Sequence, residues 1–524
     1  MTPHAEPSTS LNARRRAREL AASADNADVA DVLVIGLGVT GAGVALDAAS
    51  RGLKVTAIDA QDLAFGTSRW SSKLVHGGLR YLASGQVDVA YESAVERGIL
   101  MTLTAPHLIR AMPFVMPLTP LMSSRNAALA MTGLRAGDLL RAAARTPRKV
   151  LPGPLRLSRA QTLRMAPGLR ENGLRGGLLS WDGQLCDDAR LVTAIARTAA
   201  GYGARILTRC RAVEVTGEGA RVRDELTGEV KDLRARKVVN AAGVWAGGLV
   251  PGIALRPSRG THLILDGNAM GEHPFKTLKA GLHLPVPGSV NRFALVLPQD
   301  DGRVYVGLTD EPVDEIPDVP TAPESDIGFL LDLLGTVLDT TVRRSDVLGA
   351  FAGLRPLLNA EGRTADISRR HAVLTSPEGI VTVVGGKLTT YRRMAQDAVD
   401  ALGLDAGPSQ TAGIPLIGAP GTVPAAARTS PGKVPLRLAR RYGAEAPLMA
   451  ALAEEDPSLL EPVLPGRPYL AVEWAWALAH EGALDADDLL DRRTRVGLVE
   501  ADRAAALEGA ESMVRRMSGS SQDL

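Results

Sequence analysis

Cysteine is nearly absent. The 524-residue chain has two, Cys186 and Cys210, and neither has a second cysteine at ligand spacing. That excludes a disulfide framework and a cysteine-based metal site, and it fits a reducing compartment. Net charge is close to nil, +2 at pH 7, so bulk electrostatics gives no case for a nucleic-acid partner. No long uncharged apolar window occurs, so no spanning helix is expected and any membrane contact is peripheral. The N-terminal residues lack a basic segment followed by an apolar one, and no secretory signal is expected. No repeat is visible, which sets aside solenoids and propellers. Lysine is rare, 9 against 51 arginines, so a lysine in a structured turn stands out, whereas a lone arginine reads as surface charge.

What is present has ordinary globular proportions, 45% hydrophobic and 23% charged. At roughly 150 residues per domain the length holds two to four domains. Residues 1–30 read as an N-terminal tail, a solvated segment with a short exposed helix over Leu11–Leu20. From Asp31 the pattern is strand, glycine turn, helix, strand. Val32–Ile35 is β-branched, Gly36-Leu-Gly38-Val-Thr-Gly41 follows, helical spacing runs to Ser50, and Lys54–Ile58 ends at Asp59. With glycine near one residue in ten, chance alone supplies roughly half a match to G-x-G-x-x-G in such a chain. The flanking strand and helix make this one informative. Gly36 and Gly38 permit a tight turn and close approach to a pyrophosphate, Gly41 lets helix and strand pack, and Asp59 is placed to accept from a ribose hydroxyl.

The next segment favours a flavin over a nicotinamide dinucleotide. A regular βα unit is replaced by a long loop dense in hydroxyls and glycines, with Thr67, Ser68, Ser71, Ser72, Lys73, His76, Gly77 and Gly78, followed by Arg80 and Tyr81. Such a loop can wrap a pyrophosphate and reach an isoalloxazine ring. Two later segments read as returns to the same sheet. Lys237–Ala246 is a strand entering a small-residue turn at Ala242 and Gly243. Ile380–Tyr391 is a strand, a diglycine (Gly385, Gly386), then Lys387 and Leu388 at a helix start. A helix N-terminus stabilises the negative charge of a reduced flavin.

The runs Ser71–Leu82, Ala350–Leu357, Ser368–His371 and Gly385–Tyr391 together resemble the FAD-dependent glycerol-3-phosphate dehydrogenases. The likeness spans about 31–405 and continues more weakly to Asp491–Gly497. It implies an α/β fold with a glutathione-reductase-type FAD domain, a β-rich substrate domain and an α-helical C-terminal domain. The expected boundaries are 31–408, with FAD segments near 31–110, 180–255 and 350–408, and a helical cap over 409–524. It implies hydride transfer from C2 of glycerol 3-phosphate to flavin N5, dihydroxyacetone phosphate as product, and a quinone as acceptor.

By the same resemblance Arg355 is the phosphate clamp, Arg369 a second active-site arginine, Lys387 a cation beside flavin and substrate, and His262 the base. Arg80, Tyr81 and Thr309 line the pocket, and Val213 joins the glycine turn, the loop and the two returns as a cofactor residue. Arg370 follows Arg369 where the family often has an acid, which leaves open which arginine faces the site. The N-terminal extension is not part of the minimal pattern.

Between Arg125 and Arg170 lie ten basic residues and one acid, Asp138, interleaved with Leu, Ala and Met. This reads as basic amphipathic helices suited to an anionic membrane surface, with a solvated helical face as the alternative. A peripheral position on the inner face of the cell membrane, in the cytoplasm, follows from that reading. Gly413–Val423 reads as a linker, and the helical spacing beyond it carries no ligand cluster, so a cap or a homodimer contact is expected and no metal site. The competing readings are an oxidase that uses oxygen, an amine or amino-acid oxidase on the same fold, and a non-catalytic flavin-binding sensor or scaffold.

Overall fold

The structure is a computed structural model that describes residues 8–25, 27–78, 81–82, 85–267, 274–287, 292–358, 371–423 and 434–519. Ala30–Ile35 and Val55–Ile58 are short runs of mostly β-branched and small apolar residues, buried along nearly their whole length. Burial on both faces is the condition of a parallel sheet. The central path of this sheet runs His371–Thr375, Val381–Gly385, Val230–Asn240, Ala30–Ile35, Val55–Ile58, Arg205–Leu207. Ile35 pairs with both Asn240 and Ile58, and Asn240 with Thr382, all in parallel. Both segments read as returns therefore enter this sheet, and their C-terminal ends arrive beside the glycine turn. On one face the helices Val39–Ser50, Asp188–Gly201 and Tyr391–Asp400 share a core containing Val34, Ala45, Val192 and Ala398.

The second sheet is mainly antiparallel and has ten strands, among them Ser258–Asp266, Phe293–Pro298, Ile109–Pro117 and Gly177–Leu185. Its apolar face packs Leu263, Val296 and Val306 against Leu330 and Leu334 of the helix Glu324–Gly335. Two stretches expected on the flavin side belong here instead, Gly177–Leu185 and Val347–Arg355. The latter pairs with Ser258–Asp266 so that Arg355 faces Ser258 and Phe351 faces His262. A third core, centred on Tyr442, Trp474, Trp476 and Leu489, is built by the helices of the C-terminal region.

The described part of the N-terminal segment is not a solvated tail. Asn12 caps the helix Ala13–Ser23 by accepting from the Arg15 N–H, and Arg15, Arg16 and Leu20 are buried. Arg16 Nε donates to the Thr208 carbonyl at 2.7 Å and its guanidinium pairs with Asp224. Leu20 packs on the free face of the first sheet with Leu33 and Ile58. Ahead of the helix, Leu11 exchanges backbone hydrogen bonds with His480 and Gly482 at 3.0 and 2.8 Å. Of the arginines that suggested exposure in the sequence, Arg14 and Arg18 are exposed, whereas Arg15 and Arg16 satisfy carbonyls and a carboxylate at a joint between regions.

That joint is ionic and dry. Glu481 takes Arg190 on both oxygens and lies 3.6 Å from Arg197, with all three side chains buried. Burial pushes the Glu481 carboxyl up, but the two guanidinium groups outweigh it and hold it below the ordinary value of 4.5. Removing the carboxylate leaves the buried Arg190 without its ion-pair partner, whereas Arg197 keeps both oxygens of Glu445, so Glu481→Ala is expected to lower stability to urea by about 3–5 kcal/mol. Because the folded-state value is depressed, the wild-type contribution is complete above pH 4.5 and declines as pH falls through the folded value. Urea midpoints measured between pH 3 and 8 check both the size and the sign.

Candidate active site

A cavity of about 1640 Å³ runs along the border of the two sheets. Its floor is the first glycine turn. Gly36 has φ +101°, and a Cβ there would stand 2.7 Å from the Ala241 carbonyl oxygen, so only glycine fits. Asp59 accepts the Leu37 N–H at 2.6 Å and the Gln61 N–H at 2.8 Å, which curls the turn around its carboxylate. Burial pushes the Asp59 carboxyl up to about 6. Ser68 Oγ accepts the first N–H of the helix Val39–Ser50 at 2.8 Å, and Thr67 Oγ1 donates to the Leu354 carbonyl at 2.6 Å. The loop thus joins the glycine turn to the strand that ends at Arg355.

Among the described residues three cations line this space, Arg211, Arg355 and Lys387, and the last two come from different elements. Arg355 is oriented by Asp310 and the Ser258 hydroxyl, both 3.2 Å from Nη1, and by the Thr309 carbonyl, 3.1 Å from Nη2. Lys387 follows the diglycine. Its Nζ donates to Ser93 Oγ at 2.7 Å and lies 3.9 Å from the Tyr81 ring centroid. Ser93 gives its own proton to the Val89 carbonyl, so its oxygen is left as an acceptor for the ammonium.

Of the residues expected from the sequence, Gly36, Gly38, Asp59, Thr67, Ser68, Ser71, Ser72, His76, Gly78, Tyr81, Ala242, Gly243, Arg355, Gly386, Lys387 and Leu388 line the cavity. Arg80 and Arg369 lie outside the described residues.

Six others lie off its wall. Gly41 sits inside the helix, where a Cβ would fall 1.7 Å from the Gly36 carbonyl oxygen, which is the packing role read for it. Gly77 donates to Asp182 at 3.2 Å and abuts the Arg97 guanidinium. Lys73 is buried against Asp188 at 3.2 Å, with Phe351 and Tyr305 rings beside it, and so is an internal ion-pair partner. Val213 is 45% exposed and points away because the strand register slips between Ala212 and Glu214, leaving Arg211 and Ala212 on the wall. The Thr309 hydroxyl faces inward, accepting from the Thr261 N–H and donating to Asp326, and only its carbonyl serves Arg355. His262 is wholly buried behind Ser72, whose Oγ is 2.9 Å from Nε2, and its ring stacks on Phe351 at 4.8 Å. Burial, Lys73 and Arg355 push the imidazole down to about 3.

Other parts of the wall carried no local signal. Trp70 and Trp245 sat in recognised segments without being assigned to the site, and both line it. An apolar arm is made by Leu121, Met122, Leu129 and Leu134 opposite Pro285, Val286 and Phe293. It joins the helix Ser124–Ala143 to strands far away in the chain.

These features fit FAD: a cradle that any side chain would fill, a helix start beside it, a carboxylate at ribose distance along the chain, and room for a long two-ring cofactor. The fold and cavity define an FAD-dependent oxidoreductase. Residues 31–392 match the FAD dependent oxidoreductase family, and 409–522 match the C-terminal domain of alpha-glycerophosphate oxidase. The chain is 51% identical to glycerol-3-phosphate dehydrogenase 1 of Mycobacterium tuberculosis, covering 98% of this chain and all of that one. It is 34% identical to a mitochondrial glycerol-3-phosphate dehydrogenase of Arabidopsis thaliana, over 95% and 84%. A glycerol-3-phosphate dehydrogenase from Bacillus halodurans, solved with FAD, aligns with TM-score 0.72 at 26% identity, covering 96% and 94%. The chain belongs to the family of FAD-dependent glycerol-3-phosphate dehydrogenases.

Asp59→Ala removes a charged acceptor from the cofactor wall. A charge-assisted hydrogen bond is worth about 1.5–3 kcal/mol, so FAD affinity is expected to fall about ten- to hundredfold. Titration of the apoprotein by flavin fluorescence measures it. In the wild type the loss should set in as pH drops below about 6, where Asp59 takes up a proton.

Proposed function

We propose that this protein oxidises glycerol 3-phosphate to dihydroxyacetone phosphate, with FAD in the cavity supplying the hydride acceptor. The observation that carries the reading is the convergence of Arg355 and Lys387, on separate elements, in a cavity whose floor is a dinucleotide turn. A phosphate dianion needs more than one cation, and a planar guanidinium whose place is fixed by Asp310, the Ser258 hydroxyl and the Thr309 carbonyl is a pre-oriented partner for an oxyanion. Lys387 would neutralise charge where the alcohol loses its proton. Ser72 stands between the cavity and His262, so the hydroxyl proton would leave by way of the Ser72 oxygen, with the neutral imidazole behind it as acceptor. A mainly apolar surround limits competition from water.

The acceptor we propose is a lipid-soluble quinone, on the strength of the apolar arm. The same helix supports a peripheral site on the inner face of the cell membrane: Leu129 is 61% and Leu139 72% exposed, and Arg125, Arg135, Arg145 and Arg148 lie on or just beyond it. No helix among the described residues is long and apolar enough to cross a membrane. Apolar side chains ringed by cations suit the surface of an anionic bilayer. An oxidase that uses oxygen is the second reading, since the same half-reaction serves both.

Anaerobic glycerol 3-phosphate is expected to bleach the bound flavin, and a soluble quinone should then restore its colour faster than air; failure to bleach refutes the proposed reaction, and rapid peroxide release refutes the acceptor. Arg355→Ala should raise KM about ten- to hundredfold while FAD stays bound, read from steady-state rates and the visible spectrum. Leu139→Asp, at a position outside the cavity, should reduce co-sedimentation with anionic vesicles several-fold, leaving turnover with a soluble quinone in place.

A further inference from the structure

The segment Asp491–Gly497 has no part in the reaction above, yet its arginines leave the C-terminal region and enter the loop that walls the cofactor. Arg493 grips both oxygens of Asp62 at 2.7 and 2.9 Å, and Arg492 reaches the same carboxylate at 2.7 Å. Arg495 goes further. Its backbone is left-handed, φ +69°, a conformation glycine adopts without strain and arginine does not. A residue kept there against its backbone preference points to a task for the side chain. The guanidinium is buried. It donates to the Arg69 carbonyl and to the Asp491 carbonyl at 3.0 Å, faces Asp187 at 3.5 Å, and lies 5.3 Å from the Trp70 ring centroid.

Trp70 is the part of the cavity wall that these contacts reach. Its indole N–H has no hydrogen-bond partner among the described residues, so no hydrogen bond fixes the ring. What surrounds it is Arg69 at 4.2 Å, Arg495 at 5.3 Å and Phe351 stacked at 5.8 Å. Trp70 also lies against Gly353, where a Cβ would stand 2.6 Å from its own, on the strand that ends at Arg355. The flanking residues Gly66, Thr67, Ser68, Ser71 and Ser72 all line the cavity.

We propose that Arg495 is a positioning residue for the cofactor site: it sets the place of Trp70 and so holds the Gly66–Ser72 wall against the Arg355 strand. The C-terminal region is then part of the flavin-binding apparatus. The proposal rests on FAD occupying the cavity and not on the identity of substrate or acceptor. Arg69 alone cannot do this, since it belongs to the loop being held. Arg495 comes from the C-terminal region and hydrogen-bonds the Arg69 carbonyl as well as flanking the ring, so both are located from one anchor outside the loop.

FAD titration of the full-length apoprotein tests it. Arg495→Gly suits the left-handed backbone and removes the whole side chain, guanidinium included. It is expected to raise the FAD Kd about ten- to thirtyfold. Arg437→Ala, which removes an arginine paired with Glu473 inside the C-terminal region, should lower Tm and leave Kd unchanged. In a Trp70→Leu background the further loss from Arg495→Gly should shrink to less than about twofold, because the ring through which it acts is gone. Where the glycine variant does not fold, Arg495→Lys, which keeps a charge without the planar fork, carries the same expectation. Wild-type FAD affinity in the Arg495 variant, or an equal loss with and without Trp70, overturns the proposal.

Discussion

The structure depends on one steric coincidence, the meeting of three backbones at Gly36, Gly41 and Ala241. A Cβ on Gly41 would lie 1.7 Å from the Gly36 carbonyl oxygen and 3.3 Å from the Ala241 Cβ, and one on Gly36 would strike the Ala241 carbonyl. The obstructing atoms are mostly main chain and cannot rotate away. Because these positions are glycine and alanine, the helix Val39–Ser50 begins directly over the end of its strand, and the strand Val230–Asn240 lies beside it. Val39 and Thr40 at the helix start then line the cavity, the Val39 N–H held by Ser68, and Asp59 is brought to its edge. Everything that approaches the cofactor afterwards is laid against this floor.

The parts legible in the sequence are those whose geometry is local. The βαβ unit, the diglycine before Lys387 and the hydroxyl-rich loop each declare their backbone within a dozen residues, and each forms part of the cavity. What was not legible has another origin. His262 sits two residues from Gly260, which lines the cavity, so the strand aims both to the same side; Ser72, from a remote loop, covers one and not the other. Val213 is turned out by a register slip that composition does not announce. The apolar arm is assembled from a helix and a hairpin that have no sequence relation to one another, and only their meeting makes it a surface.

Arginine was the residue type most easily misjudged. Read singly, each of 51 looks like solvated charge. Many are buried, Arg16, Arg190, Arg197, Arg492, Arg493 and Arg495 among them, and these lie where regions meet. A guanidinium is weakly hydrated and offers a fixed fork, so it can satisfy carboxylates and carbonyls from two elements at once where an ammonium would stay hydrated. Such joints add little net stability over an apolar contact, but each accepts few alternative geometries. That gives the N-terminal helix, the flavin loop and the C-terminal helices one mutual arrangement. Most of the lysines among the described residues are exposed or half-buried on the outside, whereas Lys73 is buried beside Asp188 and Lys387 lines the cavity.

The placing of the tryptophans has an optical consequence. Of five, Trp70 and Trp245 border the cavity, whereas Trp474 and Trp476 are buried in the core of the C-terminal region. Indole emission overlaps flavin absorption, so a flavin bound in the cavity would draw energy from the indoles at its border. The chain therefore carries an intrinsic gauge of cofactor loading that needs no added dye.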